Sequence, residues 1–202
     1  TYSLSLIICQ VRKKKIMNKI FYYDKSSDDW IIIDSIDTRP FLKVVKKLIK
    51  TAPPMSIKYK STTGKNAKQY DLLKYLEHNP VVDKIKEKIL FNLKKHFNLK
   101  TYGLDLLSAW TVLGYKNTYH TLHRHNTTKQ NHVSSVLYLK TPKSKKNNFY
   151  YLHRNNGEID QKRLNPKEGD LFIFPVWLWH GVYPQLEKGL RQTLNLDFGV
   201  RY

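Results

Sequence analysis

Asp170-Leu171-Phe172-Ile173-Phe174-Pro175-Val176-Trp177-Leu178-Trp179-His180 is an apolar run, rich in β-formers, that delivers a histidine at its end. Gly169 opens it and Gly181 to Pro184 close it; within these bounds Asp170 to Phe174 reads as a buried strand, and His180 stands at a strand end. Similar short runs lie around it at 104–113, 132–140, 149–152 and 192–200. Gly114, Thr141-Pro142, Asn155-Asn156-Gly157 and Pro166 to Gly169 punctuate them. That rhythm predicts an antiparallel barrel or jelly roll rather than alternating βα units. The chain carries no internal repeat, no phosphate-binding loop and no dinucleotide glycine fingerprint.

Upstream the pattern differs. Ile20-Phe21-Tyr22-Tyr23 and Trp30-Ile31-Ile32-Ile33 read as two strands divided by the polar stretch from Lys25 to Asp29. A helix is expected next, with Asp37 or Thr38 as N-cap, Pro40 in its first turn, Phe41, Val44, Val45, Leu48 and Ile49 at helical spacing, and Pro53-Pro54 as its stop. Residues 56–69 are polar and read as loop. A second helix is predicted over 80–97, capped by Asn79, with Val81, Ile85, Ile89, Leu93 and Phe97 along one face. These helices are expected to buttress the outside of the β-core.

At 202 residues, 41% hydrophobic and 13% aromatic, the chain has ample matter for one core and not for two large domains. The lone Cys9 excludes an intrachain disulfide and a thiolate cluster, so any metal needs His or carboxylate ligands. The net charge of +20 raises nucleic acid as a partner. Against that, 29 of the 36 basic residues are Lys and 7 are Arg, the better fork for phosphate. The charge is also spread, with 22 basic against 9 acidic residues in 1–100 and 14 against 7 in 101–202. The apolar run at 4–9 precedes the Lys13-Lys14-Lys15 cluster, an order opposite to that of a secretory signal, and no stretch is long enough to span a membrane. Residues 1–16 are expected to be a disordered or non-native extension, Met17 to be the initiator, and the protein to be cytoplasmic.

Four of the eight histidines, His120, His123, His125 and His132, fall within thirteen positions. In an extended strand positions i and i+2 share a face, so His123 and His125 can present two imidazoles to one metal. His180 offers a third from a strand end. In the last run Arg191, Thr193 and Asn195 alternate to the same interior, a buried cation that calls for an anion. Taken alone, Arg191 reads equally well as a rim residue paired with Asp170 or Asp197.

In order, the chain shows Trp110, His123-Arg124-His125, Ser134-Ser135-Val136-Leu137-Tyr138, Gly169-Asp170-Leu171, Phe174-Pro175 and His180. Over about 104–200 this resembles the iron(II)- and 2-oxoglutarate-dependent oxygenases, in particular a group from phages and marine bacteria. The resemblance implies a mostly β fold, a double-stranded β-helix of jelly-roll, cupin-like form with the N-terminal helices packed outside, in one domain over 17–202. It also implies a dioxygenase that uses Fe(II), 2-oxoglutarate and dioxygen to hydroxylate a small molecule or peptide, releasing succinate and carbon dioxide. His123 and His180 become metal ligands, Arg191 with Thr193 holds the distal carboxylate of 2-oxoglutarate, and Tyr138 reaches the same cosubstrate. Trp177 and Trp179 would wall the pocket, and loops at 143–148 and 153–160 would select the substrate.

One departure stands out. The usual triad is two His and one carboxylate, yet no His here is followed two positions later by Asp or Glu, and His125 stands in that place. His125 as third ligand leaves the site one negative charge short and moves it toward zinc, which three His and a water suit. His120 and His132 are the alternatives by register shift. Two further readings stay open: a jelly-roll metal-binding module, with zinc or none, and a basic nucleic-acid-binding protein.

Overall fold

The computed structural model describes residues 20–23, 29–55, 64, 67–98, 101–125, 132–142, 149–155 and 158–201. Expectations for residues 1–19, for Lys25 to Asp28, for 56–63 and for 143–148 lie outside them. The elements are β1 (Ile20–Tyr23), β2 (Trp30–Ser35), α1 (Arg39–Leu48), β3 (Lys68–Asp71), a short α2 (Leu73–Leu76), α3 (Pro80–Phe97), β4 (Gly103–Gly114), β5 (His120–His123), β6 (His132–Lys140), β7 (Phe149–Asn155), β8 (Glu158–Leu164), β9 (Asp170–Pro175), β10 (His180–Val182) and β11 (Arg191–Arg201). All pairings are antiparallel, in a seven-stranded sheet ordered β1-β2-β9-β6-β11-β4-β3 and a four-stranded sheet ordered β5-β10-β7-β8.

Alternation along the central strands divides the molecule into layers. On β6, Val133, Leu137 and Leu139 face one way and join Leu194, Leu196 and Phe198 of β11, while Val136 and Tyr138 face the other. Phe41 and Val45 of α1 and Val82, Ile85, Ile89 and Leu93 of α3 pack against the first set. Phe149 and Tyr151 of β7 pack against the second. The large sheet is therefore covered by helices on one face and by the small sheet on the other, and β6 and β11 are buried on both sides.

The helices form where the capping chemistry places them. Asn79 Oδ1 accepts from the Val81 N–H at 3.2 Å, Pro80 occupies the first turn, and Asn98 ends α3 in the left-handed region at φ 49°. At α1 the two expected caps share the work: Thr38 holds the N-cap position, while Asp37 Oδ1 accepts from the Arg39 N–H at 3.0 Å. Asp34 of β2, almost fully buried, accepts from Asn92 Nδ2 at 2.8 Å and pairs with Lys88 at 3.4 Å, tying α3 to the sheet.

Three expectations are corrected. The polar stretch read as loop ends in β3, an edge strand paired on one side to β4. Of the segment expected as a substrate loop at 153–160, residues 153–155 belong to β7 and 158–160 to β8, and β8 reads as polar because it edges the small sheet. Helix α1 stops at Leu48, ahead of the prolines. Among the described residues, no helix is long and apolar enough to cross a membrane.

Candidate metal centre

Strand β10 is only three residues long, and its pairing is what assembles the site. His180 lies opposite His123 of β5 on one side and opposite Tyr151 of β7 on the other. His125 lies two residues beyond His123, just past the end of β5, where its N–H donates to the Val176 carbonyl at 2.9 Å. The structure brings His123, His125 and His180 together, with one ring nitrogen of each within 4.8 Å of the others. Their ring centroids are 4.4 Å (His123–His180), 5.2 Å (His125–His180) and 5.5 Å (His123–His125) apart.

The other ring nitrogen of each is engaged. His123 Nδ1 lies 2.8 Å from the Thr121 carbonyl, and His180 Nδ1 lies 2.9 Å from the Leu178 carbonyl. A carbonyl only accepts, so both Nδ1 atoms carry the proton and both Nε2 lone pairs are free. His125 Nδ1 lies 2.8 Å from Asp197 Oδ1, and Ser134 Oγ is 3.3 Å from the same nitrogen. With each Nδ1 engaged, Nε2 is the nitrogen each ring offers, and three imidazoles so gathered fit a divalent transition metal.

Electrostatics keep the donors ready. Burial among Phe149 and Phe174 holds His180 well below the ordinary imidazole range, and the neighbouring histidines push the same way. His123 is lowered by burial, with the Thr121 carbonyl acting in the opposite sense. An unprotonated imidazole is the ligand form.

The cavity beside them is lined by Trp110, Val112, Val136, Tyr138, Phe149, Val182, Thr193, Asn195, Arg191, His120 and the three histidines. Arg191, Thr193 and Asn195 line it from β11, as i, i+2 alternation predicts, and Asp197, next in that alternation, meets His125. Arg191 is 5% exposed and has no carboxylate partner among the described residues; burial lowers its guanidinium below the usual range. Asp197, one expected rim partner, is taken by His125 instead. Thr193 Oγ1 accepts from Asn195 Nδ2 at 3.1 Å, which leaves the hydroxyl proton free to donate. Tyr138 lies directly opposite Thr193, and burial raises its phenol well above the ordinary range, so it too is a donor.

Of the alternatives by register shift, His120 lines the cavity with its ring 4.3 Å from His123, and burial holds it well below the usual range. It is outside the three-His group. His132 is elsewhere, against Gly199. Trp177 and Trp179 do not line the cavity: Trp179 points outward, 41% exposed under the Arg124 guanidinium. Asn195 was expected to face inward and does; the contact that sequence reasoning missed is that of Asp197 with His125. The alternation that placed Arg191 and Thr193 inward extends to Asp197.

Residues 108–197 match the model of a family described as "Putative 2OG-Fe(II) oxygenase". No curated protein matches the chain. Among solved structures, HygX from Streptomyces hygroscopicus, with nickel and 2-oxoglutarate bound, superposes with a TM-score of 0.60 at 14% identity, covering 84% of this chain and 82% of its own. HygX has also been solved with hygromycin B bound. A Pseudomonas putida prolyl-4-hydroxylase gives 0.58 at 12%, covering 85% and 92%. The α-ketoglutarate-dependent epimerase SnoN from nogalamycin biosynthesis gives 0.65 at 8%, covering 87% and 80%. At these identities the structural likeness is one of fold. It is the jelly roll that the strand rhythm predicts, and with the family match it supports the 2-oxoglutarate- and iron(II)-dependent oxygenase superfamily.

Proposed function

We propose that this chain is an iron(II)- and 2-oxoglutarate-dependent dioxygenase that hydroxylates a small molecule or peptide. The observation that carries the reading is the meeting, in one cavity, of three gathered imidazoles with a buried arginine that has no carboxylate partner among the described residues. The metal-binding half comes from β5 and β10 of the small sheet, and the anion-binding half from β6 and β11 of the large one. Closing the jelly roll joins the two.

In this reading His123, His125 and His180 hold the metal, and Arg191 with Thr193 holds the distal carboxylate of 2-oxoglutarate. Arg191 offers a planar fork, and the free Thr193 proton and the Tyr138 phenol add donors to the same anion in a dry pocket. With iron, dioxygen and 2-oxoglutarate bound, the centre supplies oxidative decarboxylation to succinate and carbon dioxide coupled to oxidation of a substrate C–H bond. Trp110, Val136 and Phe149 line the cavity and limit water there. HygX with hygromycin B and the prolyl-4-hydroxylase illustrate two substrate classes open to such a cavity. A single domain over 17–202 is supported by the shared core of α1, α3 and the large sheet.

The test is to add iron(II) and 2-oxoglutarate to metal-free protein without oxygen and look for the weak visible charge-transfer band of the keto acid on iron. The band is expected in the native chain, and its loss is expected in His180→Ala and Arg191→Ala. No band at saturating ligand, together with tight zinc binding, would replace the oxygenase reading with that of a metal-binding module.

A further inference from the structure

We infer that Asp197 is a positioning residue for the metal centre, supplying through His125 the negative charge that a carboxylate ligand would otherwise bring. The inference rests on the metal-binding role proposed above. It starts from an asymmetry among the three Nδ1 partners. His123 and His180 are each backed by the neutral carbonyl of the residue two positions earlier, Thr121 and Leu178. His125, the residue standing where the family pattern has a carboxylate, is the one backed by a carboxylate.

The environment makes that contact consequential. The side chains of His125 and Asp197 are 10% and 9% exposed, so little solvent screens the pair. In a chain of net charge +20, Asp197 has neither Lys nor Arg as an ion-pair partner among the described residues; its partner is the imidazole. Ser134, opposite Asp197 in the β6–β11 register, lies beside the same nitrogen. A carboxylate accepting from Nδ1–H fixes the ring orientation, directs the Nε2 lone pair at the metal and makes it a stronger donor. The charge missing from the ligand set is thus present one hydrogen bond further out.

Cobalt(II) titrated into metal-free protein is the probe, read by calorimetric affinity and by the visible absorption of the bound ion. Asp197→Asn keeps the volume and an oxygen acceptor but removes the charge. It is expected to bind cobalt 10- to 100-fold more weakly, while the melting temperature of the metal-free variant stays close to that of the native chain. A second arm moves the carboxylate onto the metal: in a His125→Asp background, Asp197→Asn is expected to change affinity less than about 2-fold, as a double-mutant cycle through His125 requires. If the native chain binds cobalt, His180→Ala does not, and Asp197→Asn binds as tightly as native, the inference is overturned while the metal site stands. Equal losses in both backgrounds overturn it too, because the effect would not pass through His125. If the native chain does not bind cobalt, the metal reading falls and takes the inference with it.

Discussion

At the scale of single residues, Arg191 and Gly181 show how tightly the interior is specified. In the proposed reading Arg191 binds a carboxylate through its planar fork, which a lysine of equal charge cannot reproduce. Arg191→Lys should therefore weaken 2-oxoglutarate binding about 10-fold or more, given ~1.5–3 kcal/mol for a hydrogen bond to a charged group, with cobalt affinity unchanged; competitive calorimetry reads both. Gly181 has a different constraint. A Cβ there would lie 2.5 Å from the Tyr150 hydroxyl and 2.9 Å from the His120 carbonyl, and the second is backbone that cannot swing aside. Gly181→Ala should shift β10 against β5 and destabilise the fold by ~1–3 kcal/mol, seen as a lower urea midpoint together with weaker cobalt binding.

At the scale of elements, the candidate site draws on strands of very different length. β4, β6 and β11 run nine to twelve residues and are buried by their neighbours, while β5 and β10, which bear His123 and His180, have four and three. The helical layer is secured by caps and by one buried network. Asn79→Ala removes the side-chain acceptor at the start of α3 and should cost ~1 kcal/mol. That loss should appear in the denaturation midpoint and leave metal affinity untouched, since α3 packs on the far face of the large sheet.

At the scale of the whole molecule, the buried histidines make stability pH-dependent. Burial lowers His120, His123 and His180 from the ordinary value of 6.5, so the unfolded chain binds more protons than the folded chain once the pH falls below about that value. The stability of metal-free protein should be full above pH ~6.5 and decline as the pH drops through that range. Urea midpoints at two pH values check this, and a rise on acidification would contradict it. A metal that binds the folded chain alone stabilises it by about 2.7 kcal/mol at a hundredfold excess over Kd. Cobalt should accordingly raise the melting temperature of the native chain and leave that of His180→Ala unchanged, and chelation should reverse the shift.

Much of this was legible along the chain because it depends on local periodicity. Alternation in β6 and β11 set which side chains face inward, the Asn79-Pro80 pair marked the start of α3, and the Gly and Pro punctuation separated the strands. The candidate site residues His123, His125, His180, Arg191, Thr193 and Tyr138 were named from that alternation and from the family pattern together. What periodicity does not carry is which strand lies beside which. β3 and β8 were missed because an edge strand needs hydrophobic residues on one face at most, and their polar sequences resemble loops. Trp179 was misplaced because an aromatic at a strand end takes either face. The pairing of Asp197 with His125, 72 positions apart, brings the residue just past β5 against β11, a contact that sequence spacing does not reveal. Local alternation was enough for the buried strands and for the side each of their residues faces, since both follow from a chain alternating every two positions. Tertiary closure alone decided which of those residues touch, because burial against distant strands turns a list of inward side chains into a site.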